Sequence, residues 1–206
     1  MNAPGARAHF PLRTFVLIML LAAGVRALVI VSNSVSFHSD EAVVGLMARH
    51  ILGGARPVFF YGQAYMGSLD AWLNALGFAL FSPSVIVMRV VQSALYLAVV
   101  ASGMALAWSI TRDRVALIAA GLLLAIPSVL LTTYTTATLG GYGETLLLGN
   151  LLMLTGAYIG QDKARLPVYW LVLGVIAGVG WWTNALIAIY AAAVGLMLLA
   201  KFWRSS

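Results

Sequence analysis

The sequence predicts an all-α polytopic membrane protein: a helical bundle of about six transmembrane helices, with two juxtamembrane helices in the first outer loop. Three observations lead there. Apolar residues make up 62% of the 206 positions and charged residues only 9%, more apolar side chain than one soluble core can hide. Several apolar runs approach or exceed the roughly 18 residues needed to cross the hydrocarbon layer. The basic residues fall in short clusters between those runs, as they do in loops that remain cytoplasmic. The net charge of +6 is therefore a topology signal, and nucleic acid is not an expected partner. With no cysteine in the chain, disulfides and thiolate metal sites are excluded.

Taken in order, the predicted spans run from Arg13 to Val31, Val85 to Ile110, Val115 to Leu131, Thr145 to Ile159, Val168 to Trp181 and Ala185 to Ala200. The first is read as an uncleaved helix, because it is long, contains Arg26 and lacks a small-x-small cleavage site after it. With Arg7 and Arg13 in the cytoplasm, the pairs Arg112/Arg114, Lys163/Arg165 and Lys201/Arg204 all fall on that same side. No soluble domain, coiled coil or internal repeat is apparent, and residues 1–206 read as a single transmembrane domain.

Met66 to Phe81 is apolar but short, ~22 Å of helix against a hydrocarbon core of ~30 Å. Asp70 and Asn74 lie one turn apart and give it a polar face, so it is read as a helix lying in or dipping into the outer interface. Asp40 to Leu52 is a second such helix, with Val43, Leu46, Met47 and Ile51 at helical spacing. Ser39 is its expected N-cap, Asp40 and Glu41 suit its dipole, and Gly53-Gly54 ends it. Ala55 to Tyr65 reads as the turn between the two.

The acidic residues carry the functional signal. This topology places Asp40, Glu41, Asp70 and Glu144 outside, whereas Asp113 and Asp162 sit among cytoplasmic bases. Glu144 follows the flexible stretch Leu139-Gly140-Gly141-Tyr142-Gly143 into an apolar helix, where a carboxylate is costly without a partner. Carboxylates from two outer loops that meet at one membrane face suit general-base chemistry or metal coordination, and the expected geometry has Asp40 and Glu144 lining one outward cavity. Arg26 and Arg89, inside spans near their outer ends, either snorkel, pair with these acids, or recognise a lipid phosphate. Arg56 and His50 are more exposed candidates for the phosphate. His38 is a candidate acid–base group or metal ligand. Tyr61, Tyr65, Trp72, Trp181 and Trp182 fit an aromatic belt, and Tyr61-Gly62-Gln63 with Tyr65 also fits the wall of a sugar pocket.

Ser39-Asp40-Glu41, the helix after it, Gly62 to Gly67, and the short apolar helix ending at Phe81-Ser82-Pro83 resemble the first outer loop of GT-C fold glycosyltransferases. The likeness is to the protein O-mannosyltransferase and aminoarabinose-transferase group. Val87-Met88-Arg89-Val90-Val91-Gln92-Ser93-Ala94 resembles that group's arginine-bearing span, and Glu144 sits where its second outer loop supplies an acid. The resemblance implies an integral membrane enzyme of a bacterial inner or plasma membrane, with its active site on the extracytoplasmic side. It would transfer a sugar from a polyprenyl-phosphate donor to a lipid, glycan or protein acceptor. It implies Asp40, Glu41 and Glu144 as catalytic acids, Arg89 and Arg56 as donor-phosphate ligands, and Tyr61, Gln63, Tyr65, Asp70 and Tyr142 as the substrate pocket. A divalent metal on Asp40, Glu144 and His38 is compatible with the pattern, and no other cofactor is implied. The Lys-Pro-Pro segment of many members is replaced here by Gly62-Gln63-Ala64-Tyr65-Met66-Gly67, which removes a lysine from the phosphate side. The chain would correspond to the N-terminal part of such a transferase module. The alternatives are a membrane transporter, expected to carry midplane ionisable groups and paired repeats, and a noncatalytic or truncated membrane subunit.

Overall fold

The structure, a computed structural model, describes residues 9–161 and 167–205. Arg7, Asp162, Lys163 and Arg165 lie outside the described residues, as does the side chain of Arg204. The described residues form nine α-helices and one hairpin: α1 (Leu12–Val31), α2 (Ser39–Leu52), β1 (Phe59–Phe60), β2 (Gln63–Gly67), α3 (Leu69–Phe81), α4 (Val85–Thr111), α5 (Arg114–Ala125), α6 (Val129–Thr136), α7 (Tyr142–Gly160), α8 (Val168–Thr183) and α9 (Ile187–Ser205).

The all-α class stands. By length and apolar composition α1 and α4 can each cross a membrane, and α5 with α6 makes a third crossing if the bent pair is one span. That is two to three spans, fewer than the six of the sequence reading: α8 and α9 are shorter apolar helices, and α7 is not among the helices long and apolar enough to cross. The predicted third span is broken. Pro127 has no amide hydrogen to continue the helix, so α5 stops at Ala125 and Ser128 caps a new helix by accepting from Leu131 N at 3.3 Å. The two pieces meet at 68°.

Two long helices organise the packing. α4 lies against α1, α5 and α7, and α7 lies against α4, α8 and α9. Ile18, Tyr96, Val100, Met104 and Leu117 fill the core between α1, α4 and α5, while Leu152, Ile159, Val194 and Leu198 join α7 to α9. A third core, around Val44, Met47, Phe60, Ala75 and Phe78, seats α2, the hairpin and α3 on the start of α4.

The connections sort the molecule into two ends. At one, Arg114 Nη2 donates to Thr14 Oγ1 at 2.9 Å, Gln161 Nε2 to Ser109 O at 3.2 Å, and Lys201 Nζ to Ile159 O at 3.5 Å. At the other end lie α2, the hairpin, α3, the stretch 137–141 and the α8–α9 turn. The hairpin stands where the sequence reading had a turn and the start of a helix. Phe59, Phe60, Tyr65 and Met66 are aromatic or bulky residues suited to strands. Gly62, at φ +77°, supplies the tight reversal between them. Asn184, in the gap between the last two predicted spans, pairs with Met66 as a β-bridge, and Trp182 Nε1 donates to Val58 O at 2.9 Å.

Candidate functional site

The site begins at the first turn of α2. His38, not Ser39, is the N-cap: its Nδ1 accepts from Asp40 N at 3.2 Å, and Glu41 Oε2 accepts from His38 N at 3.0 Å. Successive helical side chains diverge by about 100°, so this capping box sends Glu41 inward and Asp40 outward. Glu41 is fully buried and accepts from Arg89 Nη2 at 2.9 Å, while the same Nη2 donates to Ser36 O at 3.3 Å. Glu41 Oε1 accepts from Thr138 N at 3.4 Å. One ion pair thereby ties α2 to α4 and to the loop before α7.

A second buried carboxylate lies behind it. Asp70 Oδ1 accepts from Asn74 Nδ2 at 2.9 Å, from Gln92 Nε2 at 2.8 Å and from the Thr138 hydroxyl. Asp70 Oδ2 accepts from Gly140 N at 3.2 Å. Burial pushes the Asp70 carboxyl above its ordinary range, while the bonds from Thr138 and the glycine backbone pull it down. Glu144, also buried, is its immediate neighbour, and neither Glu144 oxygen receives a hydrogen bond. The polar face of Asp70 and Asn74, expected at the membrane interface, turns into the protein because Gln92 and Thr138 supply partners there.

Asp40 faces open space. With His38, whose Nδ1 is 3.5 Å from Asp40 Oδ2, it lines a cavity of about 400 Å³ that also includes Gln63, Tyr65, Tyr142 and Asn184. The Gln63 Oε1 atom is buried without a hydrogen-bond partner. Tyr134 and Tyr142, edge-to-face at 4.8 Å between ring centroids, also line an adjoining apolar cavity of about 410 Å³. Leu130, Leu131, Leu146 and Ile189 form part of its walls. A polar cavity bearing a carboxylate thus abuts an apolar one.

The structure distributes the candidate residues unequally. Asp40, His38, Gln63, Tyr65 and Tyr142 come together on the polar cavity. Glu144 is not on its wall; the expected shared cavity with Asp40 is replaced by the buried contact with Asp70. Arg89 is committed to Glu41. Arg56 Nη1 donates to the carbonyl oxygen of the preceding Ala55 at 2.9 Å, and its guanidinium lies 5.6 Å from the Trp72 ring centroid. Tyr61 lies outside the cavity, its hydroxyl 3.2 Å from His50 Nδ1. Arg26 neither snorkels nor meets an acid: it is buried, donates to the Thr135 and Thr136 hydroxyls and to Thr135 O, and lies 4.0 Å from the Tyr96 ring centroid. Among the described residues no three His, Asp or Glu side chains gather as a metal site.

Sequence reading missed the roles of Thr138, Gln92, Tyr134 and Asn184. A signal existed for Gln92, which follows Arg89 by three positions on the same face of an apolar helix, where two polar side chains call for partners. Compared with known protein families, curated proteins and solved structures, the chain matches none. What the fold and the site define is an all-α protein of membrane character, with Asp40, Glu41, Asp70 and Glu144 at one end and, among the described residues, Asp40 as the carboxylate on a two-part cavity.

Proposed function

We propose that this chain is a GT-C-type membrane glycosyltransferase, with six membrane crossings and its acidic end extracytoplasmic. It moves a sugar from a polyprenyl-phosphate donor to a lipid, glycan or protein acceptor. The observation that carries this reading is Asp40 on a polar cavity that continues into an apolar one, which suits a donor with a sugar at one end and a hydrocarbon chain at the other. Asp40 takes the proton from the acceptor hydroxyl. That oxygen bonds to the sugar's anomeric carbon, and the bond from that carbon to the phosphate oxygen breaks, releasing the polyprenyl phosphate. Gln63 and Asn184 hydrogen-bond sugar hydroxyls, and the tyrosine faces cover the ring. Arg89 and Arg56 are occupied elsewhere, so the phosphate falls to His38, the basic side chain on that wall among the described residues.

The test is turnover in nanodiscs loaded with polyprenyl-phosphate sugars, read as release of polyprenyl phosphate. Asp40→Asn should lower the rate by a factor of roughly 10² or more, typical for loss of a general base, with thermal midpoint and donor binding unchanged. Wild-type turnover in this variant would exclude Asp40 as the base. Donor binding without turnover in the wild-type chain would instead mark a noncatalytic subunit.

A transporter reading gains one observation, the broken α5–α6 pair beside buried acids, since both features occur at transport sites. Solute flux across proteoliposomes, without donor consumption, would favour it.

A further inference from the structure

The buried pair of Asp70 and Glu144 is not used by the proposed chemistry, and its bonding is lopsided. Asp70 receives three side-chain donors and a backbone N–H. Glu144, beside it and 2% exposed, receives none. Were both ionised, two negative charges would adjoin in a dry interior, a costly arrangement without a cation.

Among the described residues packed around the pair, the cations are held by other partners. Glu41 of α2 meets the same Thr138 that bonds Asp70, and Arg89 of α4 is bonded to that Glu41. Gln92 of α4 and Thr138 of the loop are neutral donors. Arg26 of α1 is occupied by Thr135, Thr136 and Tyr96. On α8, Thr183 packs against Gly141. A sodium ion fits poorly, because the N–H and O–H groups aimed at Asp70 Oδ1 occupy the directions from which a metal would approach.

We infer that Asp70 and Glu144 hold one proton between them, Asp70 as the carboxylate and Glu144 as its hydrogen-bond donor, and that this proton pins the glycine turn behind the cavity. The turn is the mechanical link. Gly140 donates to Asp70, Gly140 and Gly141 have φ of +90° and +87°, and the next residue, Tyr142, lines both cavities. Loss of the proton sets two carboxylates against each other across the α3–α7 contact and loosens this wall. The buried Asp70 carboxyl, held above its ordinary range, acts in the same direction. A pair that carries an extra proton only when folded contributes stability at low pH and loses it as pH rises. The inference does not depend on sugar transfer.

Three readouts on the full chain in nanodiscs test it. Infrared difference spectra at neutral pH should show a protonated-carboxyl C=O stretch that shifts when glutamate is isotope-labelled and is missing from Glu144→Gln. The wild-type thermal midpoint should fall as pH rises into the alkaline range, and the midpoint of Glu144→Gln should stay flat over that range. In the cysteine-free chain, a single cysteine replacing Leu139 on the cavity wall should label faster at high pH by more than the rise in its thiolate fraction, and only while Glu144 is present. A wild-type spectrum without a protonated carboxyl at neutral pH overturns the inference, whether or not the variant folds. A midpoint that rises with sodium chloride but not choline chloride also overturns it, in favour of a bound cation.

Discussion

Asp40 and Glu41 are adjacent in sequence, yet one is open to a cavity and the other is sealed in an ion pair. The His38 cap fixes the helix phase, and that phase decides which acid can meet a substrate. Arg89 provides a way to test the division. Removing one partner of a buried ion pair costs about 3–5 kcal/mol, because the other charge is left without compensation. Arg89→Gln should therefore lower the thermal midpoint steeply, and Glu41→Gln combined with Arg89→Met should recover much of the loss. If Arg89 were a phosphate ligand, as the resemblance suggested, the single variant would lose donor affinity at an unchanged midpoint. The acidic residues were legible as important from their rarity in an apolar chain. Their partners were not, because Glu41 meets Arg89 and Asp70 meets Thr138 only after distant segments fold together.

At the scale of elements, the hairpin is the part that sequence patterning concealed. Its strands are two and five residues long, too short for an alternating pattern to stand out against the apolar helices on either side. Its seat on α8 makes it consequential. A Cβ on Gly67 would lie 2.5 Å from the Trp182 carbonyl oxygen, a backbone atom that cannot step aside. Gly67→Ala should destabilise the protein by about 1–3 kcal/mol, the usual cost of overpacking. It should also expose the hairpin to limited proteolysis, since the Met66–Asn184 bridge is adjacent. Gly174, in the middle of α8 with open space around its Cβ position, is the control: Gly174→Ala should be neutral or stabilise by about 0.5–1 kcal/mol. Equal losses in the two variants would mean that the docking of β2 on α8 is not what limits Gly67. The bounds of the long helices α1, α4 and α7 were read closely because no proline breaks their apolar runs. The third predicted span is bent at Pro127, a residue whose effect on a helix can be read from sequence but which the hydropathy of the run outweighed.

Across the whole molecule, the two ends differ in charge, and this bears on orientation. Arg112, Arg114 and Lys201 lie at the end where α1 begins, whereas Asp40, Glu41, Asp70 and Glu144 lie at the other. Basic loops favour the cytoplasmic side, which would put the cavity outside the membrane barrier. The decisive element is α3. Its 13 residues span ~20 Å at 1.5 Å per residue, and its Asp70–Asn74 face is tied inward to α4 and Thr138. Such a helix stays with α2 and the hairpin at one end, so the turn at Asp113 belongs to the opposite side from Tyr65. The chain has no cysteine, so single-cysteine variants at these two exposed positions report cleanly in sealed cells. A cysteine replacing Tyr65 should react with an impermeant maleimide added outside. One replacing Asp113 should react only after the membrane is permeabilised. Labelling of both from outside would mean that α3 crosses the membrane, and reaction of position 113 alone would invert the whole assembly and place the Asp40 cavity in the cytoplasm.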